Sequence, residues 1–177
     1  MTNRIENTTH LEAIMTIAVK KWTVKEVGSA VRIWNQIVEE GKAFPQTNLL
    51  TYEEGKAFFA KQDYTGIAYD TESGAIVGLY ILHPNNVGRC GHIANTSYAV
   101  DREVRGQHIG RLLVEDSIAQ ARDLGYGIIQ LNAVVATNQA ALKLYKDIGF
   151  KQLGTIERGF RMDDGHYEAI IPHVYYL

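Results

Sequence analysis

The chain has 177 residues, of which 46% are hydrophobic and 21% are charged, and its formal net charge is -2. A chain of this length and composition can form one soluble globular domain with a substantial hydrophobic core. The slightly acidic balance argues against broad binding to nucleic acid or to an anionic membrane, because both partners favour a basic surface.

The cysteine content and the N-terminal residues indicate the cellular compartment. Cys90 is the one cysteine and cannot form an internal disulfide, which favours a reducing compartment. The first fifteen residues lack the basic segment and continuous apolar core of a signal peptide, and no stretch approaches the roughly 18 apolar residues of a membrane span. We therefore expect a cytoplasmic protein in which residues 1–12 are flexible and residues 13–177 form a single domain.

Apolar patterning predicts a strand, two helices and a hairpin in the first half of the domain. Residues 14–23 are rich in β-branched side chains and predict a strand. Residues 24–44 carry apolar side chains at steps of three and four, which predicts a helix. Residues 51–62 open with a Thr-x-x-Glu capping box, which predicts a second, short helix. Residues 64–70 and 76–85 are typical of the two strands of a hairpin.

The second half alternates predicted strands with predicted helices and ends in two further strands. A strand, a helix, a strand and a helix are predicted in turn, and an Asp-Asp-Gly turn separates the last two strands. The ranges are 91–100, 112–125, 127–136, 137–150, 151–162 and 166–177. Together these elements predict an α+β domain with a mixed central sheet of about seven strands, flanked by about four helices.

Residues 105–111, Arg-Gly-Gln-His-Ile-Gly-Arg, lie where a predicted strand passes into a predicted helix. A helix N-terminus exposes backbone N–H groups and binds anions, and small residues let the backbone approach a phosphate. Arg105 and Arg111 add guanidinium groups. The stretch lacks the Gly-Lys-Ser/Thr end of a Walker loop and the Gly-x-Gly-x-x-Gly spacing of a dinucleotide site, which disfavours an NTPase and a Rossmann oxidoreductase. On this stretch alone, a solvated turn that uses glycine for tightness remains the alternative.

Two blocks of the chain resemble the GCN5-related N-acetyltransferase (GNAT) superfamily. The stretch VRGQHIGRLL is similar to the signature Arg/Gln-x-x-Gly-x-Gly/Ala, with Arg105 and Gly110 at its outer positions. The stretch NQAALKLYKDIGF matches Asn-x-x-Ala-x-x-x-Tyr-x-x-x-Gly-Phe. The order of elements extends the resemblance over nearly all of the chain. His108 departs from it, because the family usually has glycine there, and a positive φ would be unfavourable for histidine.

The resemblance implies a GNAT-type acyl-CoA N-acyltransferase fold, with acetyl-CoA as donor and an amine as acceptor. It places the pyrophosphate of CoA on the amides of residues 107–111. The pantetheine arm would pair with the exposed edge of the strand at Tyr98 and Val100, as in strand addition. The residues expected to bind CoA are Tyr98, Val100, Arg105, Gly106, Gln107, His108, Ile109, Gly110, Arg111, Asn138 and Tyr145. The histidine spacing suits no metal ion, so we expect none.

Three residues are the catalytic candidates. By the resemblance, Tyr145 is the general acid that protonates the departing thiolate, although a core aromatic with a hydrogen-bonded hydroxyl is the alternative. Asn95 and Asn132 interrupt apolar strands, where a buried amide must find partners. They could hold the substrate or polarise the acetyl carbonyl, or they could satisfy neighbouring strand ends. Asn138 should cap its helix, and a further contact with CoA stays open.

The nature of the acceptor is predicted only in outline. Asn95, Asn132 and Asn138 resemble the asparagines of fungal acetyltransferases that act on proline analogues such as azetidine-2-carboxylate, which favours a small amino acid or analogue. A protein or peptide acceptor and a non-catalytic CoA-binding regulator are the alternatives. The strand at 91–100 contains no carboxylate, and His92, its one titratable candidate, is expected to be structural. We therefore expect a water-mediated base or a partly neutral amine. Homodimers are common in the superfamily, so a homodimer is possible here.

Overall fold

Eight strands form one sheet in the computed structural model, which describes residues 15–177. The strands are β1 (Ile17–Lys21), β2 (Tyr64–Asp70), β3 (Ile76–Pro84), β4 (Ile93–Val100), β5 (Ile128–Val135), β6 (Lys151–Gln152), β7 (Ile156–Arg161) and β8 (Tyr167–Tyr176). The helices are α1 (Val27–Glu40), α2 (Tyr52–Ala60), α3 (Ile109–Asp123) and α4 (Gln139–Ile148). The strands lie in the order β1-β2-β3-β4-β5-β8-β6, and β7 also pairs with β8.

The mixed sheet with helices confirms the predicted α+β fold, with one difference in the strands. The predicted strand at residues 151–162 is divided into β6 and β7. Leu153 donates its backbone N–H to the carbonyl of Pro172 on β8, but proline has no N–H to return, so the ladder stops there. Gly154 then takes a φ of +148, a conformation that residues other than glycine rarely adopt. The predicted flexible segment, residues 1–12, lies outside the described residues.

Helices cover both faces of the sheet because its strands alternate in side-chain direction. Leu79 and Ile81 of β3 pack against α1 and α2, where Trp34 is buried. Tyr80 and Leu82 project to the other face, which α3 covers and α4 extends. Each helix therefore buries one apolar side, as the spacing of its apolar residues predicts. Across residues 15–177 every helix is too short or too polar to span a lipid bilayer.

The parallel strands β4 and β5 diverge after a short stretch of pairing. They pair only at residues 93–95 and 128–130, whereas β4 continues to pair with β3 as far as Val100. The register of β5 with β8 shifts between Leu131 and Val134, so β5 carries an extra residue there. A bulge of this kind bends a strand. β4 thus stays paired with β3, and β5 stays paired with β8. A gap therefore opens between β4 and β5 beyond Asn95.

Candidate active site

A cavity of about 790 Å³ occupies the gap between β4 and β5 and reaches the segment between α1 and α2. The predicted site residues that line it are Asn95, Tyr98, Val100, Gly110, Asn132, Asn138 and Tyr145. The other predicted residues lie in the loop before α3 and in the first turn of that helix. The structure therefore brings the two sequence blocks and the asparagines together at one opening.

The edge of β4 that faces the gap carries free backbone groups. Asn85 donates its N–H to the carbonyl of Ile93, and Asp101 donates to Val77. Odd-numbered residues of β4 therefore face β3, and even-numbered residues face the other way, because backbone groups alternate along an antiparallel strand. The N–H and C=O groups of Tyr98 and Val100 consequently point into the gap. This edge can accept an extended amide-containing chain as an added strand.

Asn95 lies at the point where β4 and β5 separate. Its Nδ2 donates to the carbonyl oxygen of Gln130 over 2.8 Å. If pairing continued, that carbonyl would instead accept the next backbone N–H of β4. The Asn95 side chain therefore ends the ladder between β4 and β5. It satisfies a neighbouring strand end, which is the structural alternative considered for this residue. Its Oδ1 accepts no hydrogen bond from the described residues, so that oxygen is available to a ligand in the cavity.

Asn132 lies in the bulge of β5 and is exposed, so the expectation of a buried amide is wrong for this residue. Its Oδ1 accepts from Gln130 Nε2 over 3.0 Å, and its Nδ2 donates to Asn85 Oδ1 over 2.7 Å. Asn85 also lines the cavity. Asn85 was not expected from the sequence, because it follows β3 directly, where Asn is typical of an ordinary turn.

The loop before α3 presents free amides. Gly106 and His108 have φ values of +86 and +61, so the glycine position that histidine occupies does require a left-handed conformation, which costs about 1–2 kcal/mol. The amides of Ile109 and Gly110 donate to no backbone carbonyl among the described residues. Free amides at the N-terminus of a helix can bind an anion, and α3 has 15 residues. The Ile109 side chain is buried, so only its amide faces this site.

Both arginines of the loop are engaged with carboxylates. Arg105 Nη2 donates to the two carboxylate oxygens of Glu40 at the end of α1, each over 2.9 Å. Arg111 donates to Glu115 on the next turn of α3 over 3.3 Å. The predicted phosphate contacts of the guanidinium groups would have to compete with these pairs. The backbone amides carry no such competition.

Tyr98 and Tyr145 differ in the state of their hydroxyl groups. The Tyr98 hydroxyl is hydrogen-bonded to Thr96 at 2.9 Å and to Ser117 at 2.8 Å, and burial raises its pKa to about 12. The Tyr145 hydroxyl makes no hydrogen bond to the described residues. Burial, and then the neighbouring Tyr98, raise the pKa of Tyr145 well above its ordinary value. The alternative considered for Tyr145 was a core aromatic with a hydrogen-bonded hydroxyl. That description fits Tyr98 and does not fit Tyr145, whose hydroxyl stays protonated at the cavity.

Packing fixes the ring of Tyr145 from three sides. Its centroid lies 6.2 Å from that of Tyr98, 5.4 Å from Phe150 and 5.8 Å from His173. Asn138 caps α4 as predicted, because its Oδ1 accepts the N–H of Ala141 over 3.2 Å. The capped helix and the packed ring hold the tyrosine hydroxyl in one place, which a proton donor requires.

Two cavity residues on the α1–α2 side were not expected from the sequence. His83 of β3 and Lys61 after α2 both line the cavity, whereas His92, the histidine considered earlier, is exposed and lies outside the lining. No aspartate or glutamate is among the described residues of the lining. Within residues 15–177, no three His, Cys, Asp or Glu side chains come together as a metal site.

Known proteins match this architecture closely. N-acetyltransferase aca1 of Schizosaccharomyces pombe is 28% identical over 156 residues, which cover 80% of this chain and 74% of that protein. A GCN5-related N-acetyltransferase from Kribbella flavida superimposes with a TM-score of 0.84 at 28% identity, over 91% of this chain and 98% of that one. A phosphinothricin acetyltransferase from Sinorhizobium meliloti, solved with acetyl-CoA, gives 0.85 at 18% identity, over 92% and 89%. The model of the acetyltransferase (GNAT) family matches residues 29–150. The chain belongs to the acetyltransferase (GNAT) family.

Proposed function

We propose that this acetyltransferase transfers the acetyl group of acetyl-CoA directly to the amine of a small molecule, an amino acid or an analogue of one. Family membership supports the acetyl-CoA-dependent reaction. We infer the acceptor from the part of the cavity that faces α1 and α2, which we call the acceptor half. It contains Lys61 and no carboxylate among its described residues. Polyamines, aminoglycosides and lysine-rich peptides carry several positive charges and favour acidic sites. An acceptor with its own carboxylate suits this lining better.

The shape of the acceptor half also favours a small molecule. Phe44 and Phe58 line it, and both pack on the buried Trp34, at centroid distances of 4.4 and 4.9 Å. This aromatic wall bounds the cavity on the α1–α2 side and gives a small acceptor an apolar surface to pack against. A small acceptor would lie between this wall and the asparagines of β4 and β5.

The donor would lie across β4 and α3. The free amides of residues 109 and 110 suit the pyrophosphate, and the open edge at Tyr98 and Val100 suits the amide groups of the pantetheine arm. This arrangement relies on the backbone, so it tolerates the pairing of Arg105 with Glu40. It brings the thioester between β4 and β5, next to Tyr145 and Asn95.

Acetyl transfer needs a polarised carbonyl, a free amine and a protonated leaving group. In the proposed reaction, Tyr145 gives its proton to the departing thiolate, because its hydroxyl is neutral and makes no hydrogen bond to the residues that the structure describes. Asn95 and Asn132 hold the acceptor or polarise the acetyl carbonyl. The free Oδ1 of Asn95 suits an N–H of the acceptor, and the Asn132 amide is held by Asn85 and Gln130.

An acceptor screen tests the proposal. Release of free thiol from acetyl-CoA and the mass of the product are measured with amino acids, azetidine-2-carboxylate, polyamines, aminoglycosides and short peptides. We expect turnover with carboxylate-bearing amines and little with the polycations. A preference for peptides would favour protein acetylation instead. Tight binding of acetyl-CoA without turnover of any amine would favour a CoA-binding regulator.

The remaining expectations stay predictions. They are a cytoplasmic location, a possible homodimer, and the lack of nucleic-acid or membrane partners. Light scattering in solution measures the oligomeric state, and electrophoretic mobility with a random duplex tests nucleic-acid binding.

A further inference from the structure

His83 lies opposite Asn95 in the antiparallel pair of β3 and β4. Directly opposed residues of such a pair project their side chains to the same face of the sheet. Both residues line the cavity, and His83 is partly exposed to it. An imidazole therefore lies beside the asparagine that marks the divergence of β4 and β5.

The hydrogen bond of the imidazole fixes which nitrogen holds a proton in the neutral ring. His83 Nδ1 lies 3.0 Å from the carbonyl oxygen of Pro84. A carbonyl oxygen can only accept, so Nδ1 carries the hydrogen and Nε2 carries the lone pair. Nε2 makes no hydrogen bond to the described residues. A backbone carbonyl that holds a histidine in this way leaves the second nitrogen ready to accept a proton.

The other titratable groups of the cavity do not suit this task. From the end of α2, Lys61 presents an ammonium, which only donates. From β4, the Tyr98 hydroxyl is committed to Thr96 and Ser117. From α4, Tyr145 holds the proton that the thiolate needs. The lining residues of β5 are not titratable, and no carboxylate is among the described lining residues.

We propose that His83 is the general base that removes the proton from the acceptor amine. The inference rests on the proposed acetyl transfer and replaces the water-mediated route expected from the sequence. The amine nitrogen forms a bond to the acetyl carbon, and the carbon–sulfur bond breaks with its electron pair on sulfur. The proton leaves nitrogen for His83 Nε2 and passes to water. Tyr145 protonates the sulfur and regains a proton from water, so one proton in total moves from nitrogen to sulfur.

The test compares His83→Gln with the wild-type enzyme across a pH series, with an amine that the acceptor screen identifies. Glutamine keeps a polar group of similar reach but cannot take up a proton at neutral pH. We expect kcat/KM to fall by about 10²-fold or more. The acid limb of the pH profile should move to higher pH, so the deficit should shrink there. Calorimetry should show unchanged affinity for acetyl-CoA.

Two further variants make the result decisive. His83→Ala should regain activity with added imidazole, whereas His92→Gln, which changes a histidine outside the cavity, should behave as the wild type. Activity of His83→Gln within twofold of the wild type, or an unchanged acid limb, would overturn the role of His83 as the base. The proposed acetyl transfer would still stand. Wild-type enzyme that binds acetyl-CoA but acetylates no amine would overturn the proposed function, and His83 with it.

Discussion

The contrast between the hydroxyls of Tyr145 and Tyr98 makes Tyr145→Phe the most informative substitution. It removes one oxygen and keeps the ring that packs on Tyr98, Phe150 and His173. Because the hydroxyl has no hydrogen-bond partner among the described residues, its loss should change the free energy of unfolding by less than about 0.5 kcal/mol. Loss of a general acid should lower kcat by about 10²- to 10⁴-fold, which corresponds to about 3 to 5 kcal/mol of activation free energy.

Tyr98→Phe is the matched control, because it removes the same atom from a ring on the same wall of the cavity. Its hydroxyl has two partners, Thr96 and Ser117, so we expect a loss of about 1 to 3 kcal/mol in stability and a kcat within a few-fold of the wild type. Urea unfolding and thiol release measure the two effects. A normal kcat for Tyr145→Phe would refute the proton-donor role. If Tyr145→Phe lost as much stability as Tyr98→Phe, the conclusion that the Tyr145 hydroxyl has no hydrogen-bond partner among the described residues would be refuted.

Two other predictions concern the CoA loop and alkaline pH. Gly110→Asp should fold, because an acidic residue is favourable at a helix N-terminus, yet it should abolish acetyl-CoA binding in calorimetry through charge repulsion with the pyrophosphate. Gly110→Ala should still bind acetyl-CoA, since its Cβ would lie 3.4 Å from Leu144, an ordinary contact. Weak binding by both variants would argue against charge as the cause. Burial raises the pKa values of Tyr80, Tyr98 and Tyr145, so these groups stay neutral in the folded state but ionise at about pH 10 when unfolded. The contribution of these tyrosines to stability should therefore be constant below about pH 10 and fall above it. A flat stability curve from pH 10 to pH 12 would contradict this burial.

Local patterns in the sequence predict most of the fold, and the exceptions come from neighbouring strands. The apolar spacing of α1 and the capping box of α2 are local signals, and both helices form as expected. The break between β6 and β7 depends instead on Pro172, which lies on a different strand. Residues 151–162 contain no proline of their own, so their pattern alone predicts one continuous strand.

The site shows the same division between local and cross-strand information. The two sequence blocks locate Gly110 and Tyr145, because each block is contiguous and has fixed spacing. His83 becomes a candidate only through the register of β3 with β4, which places it opposite Asn95. A register shift of one residue would turn its side chain to the other face, and nothing local to residues 76–84 specifies that register. The same holds for Asn85, which meets Asn132 across the gap.

The opening between β4 and β5 follows from the pairing of each strand with its outer neighbour. β4 keeps its ladder with β3 through Val100, and the Tyr98 hydroxyl bonds to Ser117 of α3 below it. β5 bends at its bulge while it remains paired to β8. Closing the gap would require one of these ladders to break, and each lost hydrogen bond would cost about 1 kcal/mol. The free edge of β4 is therefore a fixed feature of the sheet, and a substrate arm that pairs with it replaces water without first having to open the protein.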